Sequence, residues 1–140
     1  MVNRIKKREN LELKPYICPA GFLTVGYGHT IKSADRKVIK NIDTKGVNAQ
    51  QADSLLTKDL NYCKNWVKRN LQLEGHKLMA ITNFCYAFGT TKLRKSQLYK
   101  KIKANQSIDT EIRRWVHING RAATNLMRER EFELALYNGK

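Results

Sequence analysis

The alternation of apolar and polar positions changes character along the chain, and each change predicts an element. From Asn3 to Lys14, Ile5, Leu11 and Leu13 give the spacing of a short amphipathic helix. Pro15 ends it, because the proline ring disfavours helical backbone in the residue before it. Glu9 lies on this predicted helix, and since residues four apart share a face, Ile5 and Leu13 flank it above and below. From Tyr16 to Thr30 the β-formers Tyr16, Ile17, Phe22, Leu23, Val25 and Tyr27 are interrupted by Pro19, Gly21, Gly26 and Gly28, which reads as a small antiparallel sheet with tight turns. Residues 31–47 are polar and irregular, either a third short strand or a loop.

Asn48 opens a clear helix. It can cap the first turn while Gln51 reaches back, and Ala52, Leu55, Leu56, Leu60, Cys63 and Val67 follow the helical period. His76 to Phe88 is apolar or small at nearly every position, the mark of a helix at the centre of a core. After Gly89, three further helices are predicted by Leu98 with Ile102, by Ile108, Ile112, Trp115 and Val116, and by Leu126, Met127 and Leu134. Asn119-Gly120 supplies the turn between the last two. No repeat, linker or low-complexity tract interrupts this pattern.

Length and composition then bound the answer. At 140 residues, 41% hydrophobic and 28% charged, the chain suits one domain with its own core. The net charge of +15 draws it to polyanions, and bacterial wall, nucleic acid and anionic membrane all qualify. Cys18, Cys63 and Cys85 form an odd set without paired spacing, so reduced thiols are expected, Cys63 and Cys85 as core packing. The basic N-terminus lacks the apolar run of a signal peptide, and no segment approaches the roughly 20 apolar residues of a membrane span.

The candidate chemistry lies in Glu9-Asn-Leu-Glu-Leu-Lys-Pro-Tyr-Ile-Cys18-Pro-Ala-Gly-Phe-Leu-Thr24-Val-Gly-Tyr-Gly-His29, a carboxylate followed by a glycine-punctuated polar hairpin. This run resembles the signature of phage-type lysozymes, the endolysins of glycoside hydrolase family 24, in which a Glu, then an Asp or Cys, then a Thr form the catalytic set. Eight residues separate Glu9 from Cys18 and five separate Cys18 from Thr24, in agreement with that signature. Residues 51–60, Phe84 to Gly89, Ser96 to Leu98, Arg114 to His117 and Arg128 to Leu136 are also similar to stretches of these endolysins, so the resemblance spans essentially the whole chain.

The resemblance implies a mainly helical α+β fold, lysozyme-like, as a single domain over 1–140. A small β-hairpin lobe at about 15–47 would face a helical lobe of about 60–140 plus the N-terminal helix, with the cleft between. It implies that Glu9 is the general acid, Thr24 a holder of the attacking water, and Cys18 the residue at the Asp or Cys position. Protonating a glycosidic oxygen needs a carboxyl still protonated near working pH, hence a pKa above the roughly 4.3 of free Glu. Cys18 acts either through thiolate character induced by nearby Lys and Arg or through polar contact with the water. His29 is expected to pair with Asp59, an acidic position in the family, fastening hairpin to helix.

Two departures stand out: Asn10 where the family usually has Gly, and Ala87 where it has Asn or Gln. Loss of that amide leaves Ser96 and Gln97 as the candidates for contact with glycan. The reading is a muramidase acting on the β-1,4 bond between N-acetylmuramic acid and N-acetylglucosamine of bacterial peptidoglycan. It needs no cofactor or metal, has no specific nucleic-acid partner and no membrane span, works as a monomer, and stays in the host bacterial cytoplasm until released to the wall. Two alternatives compete with it. One is a basic nucleic-acid binder, supported by charge and by Trp115 and His117 near Arg113 and Arg114, though its basic residues are dispersed and no nucleic-acid motif is recognised. The other is a catalytically weakened wall-binding relative, motivated by Cys18 and Ala87.

Overall fold

The N-terminal segment departs from the helix predicted over Asn3 to Lys14. In the computed structural model, which describes residues 1–118 and 121–139, helix α1 spans only Val2–Arg8, and Glu9 caps it in extended backbone (φ −94°, ψ 132°). The chain then runs as strand β1, Glu12–Ile17. Long-range pairing overrides local helix propensity here. Glu12 pairs with Gly26 and Tyr16 with Thr24 of strand β2 (Leu23–Gly26), with a bulge between. Leu13 is consequently exposed on the strand and not stacked on Glu9, while Ile5 is fully buried. Strand β3, His29–Thr30, completes an antiparallel sheet of order β1-β2-β3, with Thr24 opposite Thr30 and Val25 opposite His29.

The irregular stretch 31–47 holds two short helices, α2 (Ser33–Val38) and α3 (Ile42–Lys45). Gly46 follows α3 at φ +76°, with Leu13 so close that a Cβ on Gly46 would stand 1.9 Å from the Leu13 carbonyl oxygen. That same oxygen accepts the Val47 N–H at 2.9 Å, so the close approach fastens β1 to the segment after α3. Helix α4, Ala49–Leu71, begins as its sequence signals: Asn48 N–H donates to Gln51 Oε1 at 2.9 Å, and Gln51 N–H donates to Asn48 Oδ1 at 2.8 Å.

The chain divides into two compact units, Met1–Leu60 and Asn61–Lys140. The core of the first is Val25, Ile31, Ile42, Val47, Ala52 and Leu55. The second is helical. Its α5 (Gly75–Phe88) packs against α9 (Thr124–Tyr137), and α6 (Thr90–Lys95), α7 (Gln97–Lys103) and α8 (Asp109–Arg113) lie between them in sequence. Strands β4 (His117–Ile118) and β5 (Arg121–Ala122) pair antiparallel before α9. The predicted Asn119-Gly120 turn lies outside the described residues. Helix α6 and this strand pair were not predicted, because each is shorter than the window over which periodicity becomes legible.

A charged network sits inside the second unit. Arg130 is fully buried and makes two hydrogen bonds to the Glu133 carboxylate, at 2.6 and 2.8 Å, and a third to the Trp115 carbonyl at 3.2 Å. Asn83 Nδ2 donates to Glu133 at 2.6 Å and to Glu129 at 3.3 Å. The guanidinium carbon lies 4.8 Å from the Phe88 ring centre and 5.3 Å from that of Phe84. Burial pushes the Glu133 carboxyl above its ordinary pKa, against the opposing pull of Arg130 and Asn83. Bidentate pairing, an amide donor and aromatic faces together offset the desolvation that a buried ion pair carries.

Candidate active site

Glu9 reaches its position because α1 stops one residue before it. Its backbone N–H closes the last turn onto the Ile5 carbonyl at 2.8 Å, and its side chain, 38% exposed, leaves the helix end. Arg8 Nε stands 3.6 Å from Glu9 Oε1, and the Cβ position of Gly28 lies 4.0 Å from Glu9 Oε2. A glycine at that point of the β2–β3 connection keeps the carboxylate's surroundings open, and its φ of +85° suits no other residue well.

The hairpin supplies the other polar groups. Cys18 N–H donates to the Phe22 carbonyl at 2.9 Å, and the Cys18 carbonyl accepts from Gly21 N–H at 2.8 Å, so a tight turn joins β1 to β2 with Cys18 at its root. Side chains alternate across a strand, which puts Tyr16, Cys18, Phe22 and Thr24 on one face. Thr24 is 3% exposed, and its hydroxyl donates to the Phe22 carbonyl at 2.9 Å.

The Cys18 thiol is held below its ordinary pKa. The Phe22 backbone contributes most and the Thr24 hydroxyl next, with smaller help from the backbone of Ala20 and Gly21 and some opposition from burial. The turn's own amides and Thr24 lower it, rather than the nearby Lys and Arg that the sequence suggests. Tyr16, directly across from Thr24, has its phenol pushed up, first by burial and then by the charges of Glu9, Cys18 and Glu12. Glu9 and Cys18 therefore both act on one hydroxyl, and Tyr16 is a member of the group that sequence reasoning missed. Its signal was available as the aromatic two residues before Cys18 on the same strand face.

Behind the sheet, buried His29 places Nδ1 2.6 Å from Asp59 Oδ2 and Nε2 2.7 Å from Asp35 Oδ2. Burial opposes a charged ring, but the two carboxylates outweigh it and raise the imidazole above its ordinary 6.5. Asp35 is lowered in turn: burial works against the anion, while His29 and the Lys32 N–H, 2.8 Å away, favour it. Asp35 escaped the sequence reading, although an acid three residues after Lys32 is a helix-start signal.

The structure thus gathers Glu9, Cys18, Thr24, His29 and Asp59 in the first unit and places Ser96 and Gln97 in the second. Ser96 caps α7, its hydroxyl donating to the Leu93 carbonyl at 2.6 Å and accepting from Tyr99 N–H at 3.0 Å. Buried and engaged on both sides, that hydroxyl is spent on the helix cap rather than presented to glycan. Gln97 is exposed at the first position of α7, and Ala87 is exposed on α5.

A carboxylate at a helix end beside a polar hairpin face, carried on a mainly helical α+β frame, defines a glycosidase of lysozyme-like fold. The phage lysozyme family profile matches residues 6–133. The chain is 30% identical to the SAR-endolysin of Escherichia phage Mu, covering 93% of this chain and 74% of that one, and 29% identical to the endolysin of Acyrthosiphon pisum secondary endosymbiont phage 1, covering 95% and 91%. Among solved structures it superposes on the muramidase domain of SpmX from Asticaccaulis excentricus with a TM-score of 0.77 at 24% identity, over 99% of this chain and 95% of that one. It superposes on the endolysin from Escherichia coli O157:H7 phage FAHEc1 with a TM-score of 0.68 at 25% identity, over 99% and 90%. The chain belongs to the phage lysozyme family. Among the described residues, no helix is long and apolar enough to cross a membrane.

Proposed function

We propose that this protein is a muramidase that hydrolyses the β-1,4 bond between N-acetylmuramic acid and N-acetylglucosamine in bacterial peptidoglycan, lysing the wall. The observation that carries the reading is the release of Glu9 from α1 to stand beside the hairpin face bearing Tyr16, Cys18 and Thr24. Glu9 hands its proton to the bridging oxygen as positive charge develops on the sugar ring. Cys18, at the family's Asp or Cys position and held below its ordinary pKa by the Phe22 backbone and the Thr24 hydroxyl, is the group whose anion opposes that charge. The Thr24 hydroxyl has one proton, shared between the Phe22 carbonyl and the Cys18 sulfur, so its remaining lone pairs accept from the attacking water. Attack from the Cys18 and Thr24 side inverts the anomeric centre. Gln97 offers an exposed amide to the glycan. The protein acts as a monomer, held in the host cytoplasm until it is released to the wall.

Purified peptidoglycan treated with the parent and with Glu9→Gln tests this. General acid catalysis is worth about 10²–10⁴-fold, so the variant should lose at least about 100-fold in rate. Glu9 is 38% exposed and its Arg8 contact is long, so thermal stability should hardly move. Mass spectrometry of the parent's products should show reducing-end muramic acid. Equal rates for the two proteins, or anhydromuramic acid as the product, would remove the proposal.

A further inference from the structure

The cations are spread along the whole chain, but their distribution is uneven. No acidic residue occurs between Glu74 and Asp109, while that interval holds Lys77, Lys92, Arg94, Lys95, Lys100, Lys101 and Lys103. Six of these lie on α6 and α7, consecutive helices joined at Ser96. Leu93, Leu98 and Ile102 turn inward and are buried, so Lys92, Arg94, Lys95, Lys100 and Lys103 are left exposed, with Lys101 half-buried. Several cations elsewhere have carboxylate partners, as in Lys6 with Asp53, Arg36 with Asp43 and Arg113 with Glu131. Among the described residues, none of the six on α6 and α7 has an ion pair.

We infer that the α6–α7 face is a docking surface for a linear, base-free phosphodiester polymer of the bacterial envelope, of the poly(glycerol phosphate) kind. An unneutralised set of mostly Lys point charges attracts successive phosphates without reading sequence. Single-stranded nucleic acid needs aromatic platforms as well. The one aromatic on these helices, Tyr99, is half-buried beside Trp66, with Lys103 Nζ 5.6 Å from its ring centre. A helix held stably in a membrane surface also buries an apolar face there, and α6 and α7 have no large hydrophobic side chain exposed. The choice of a wall polymer rests on the muramidase reading, which places the chain at the wall; the charge cluster does not depend on it.

The test is fluorescence anisotropy with labelled poly(glycerol phosphate) over about 50–200 mM salt, using the Glu9→Gln protein so that wall cleavage plays no part. The parent face should bind, and substituting Lys92, Arg94, Lys100 and Lys103 together by Gln should weaken binding at least about tenfold and flatten the log–log salt slope by about 3. Substituting Lys14, Lys37, Lys40 and Lys45 by Gln removes the same charge from another surface and should change affinity far less. Equal losses in the two variants, no binding by the parent face, or tighter binding to an oligothymidylate of equal charge or to phosphatidylglycerol vesicles would overturn the assignment. Polymer binding and Glu9-dependent hydrolysis are separate readouts, so either claim can fail alone.

Discussion

His29 Nδ1 stands 2.6 Å from Asp59 Oδ2, and the opposite ring nitrogen is held equally closely by Asp35, so one imidazole ties β3, α2 and α4 together. Its pKa is raised, so this stabilisation is fully present below the unfolded value of about 6.5 and fades as pH rises through the higher folded value. Asp35 is lowered, so its share is present above about 3.8 and fades as pH falls through its folded value. Thermal unfolding should therefore be most resistant between those limits. His29→Ala strands a buried carboxylate and should cost about 3 kcal/mol, flattening the alkaline side of the Tm-against-pH curve. A His29→Ala curve parallel to the parent's would contradict this.

Cys18 should set the acid-side limb of the pH profile of kcat/KM if its anion is the working form. Cys18→Asp places a carboxylate at the same point, ionised above about 4, and should keep activity while moving that limb to lower pH. Cys18→Ser should lose activity about tenfold or more, since a hydroxyl supplies no anion. An unmoved limb in the Asp variant would mean that Cys18 serves as a neutral contact.

Gly46→Ala should be among the most damaging single-methyl changes in the first unit. The added carbon meets the Leu13 carbonyl at 1.9 Å in a backbone conformation with φ +76°. Relief requires breaking the Val47 to Leu13 hydrogen bond, so a loss of at least about 2 kcal/mol in urea unfolding is expected.

Arg130→Met leaves Glu133 without its guanidinium in a fully buried site and should destabilise by about 3–5 kcal/mol. Adding Glu133→Leu should recover much of that loss, because two apolar side chains replace two ions. A double-mutant cycle by chemical denaturation measures the coupling, and strictly additive losses would refute it.

How much of this was legible depends on the range of the interactions involved. The Asn48 and Gln51 cap and the apolar run of α5 are local, and both stand where the sequence put them. The Glu9, Cys18 and Thr24 spacing is also local, and it is the resemblance to phage-type lysozymes that singles those residues out. Leu11 and Leu13 mimic a helical stripe that hides the end of α1; the pairing of β1 with β2, across the hairpin, decides their conformation. Asp35 needed the fold to bring it to His29, and the burial of Arg130 needed two aromatic rings and the Trp115 carbonyl, which no spacing of three along a helix announces.

A guanidinium sealed among Phe84, Phe88 and the Trp115 carbonyl makes α9 an all-or-nothing fastener. Water cannot reach that ion by gradual fraying from the carboxyl end; the aromatic lining must part in the same event. Amide protons in the Arg130 turn should therefore exchange only through cooperative opening, so clipping the last residues ought to leave this clasp shut until the whole unit gives way.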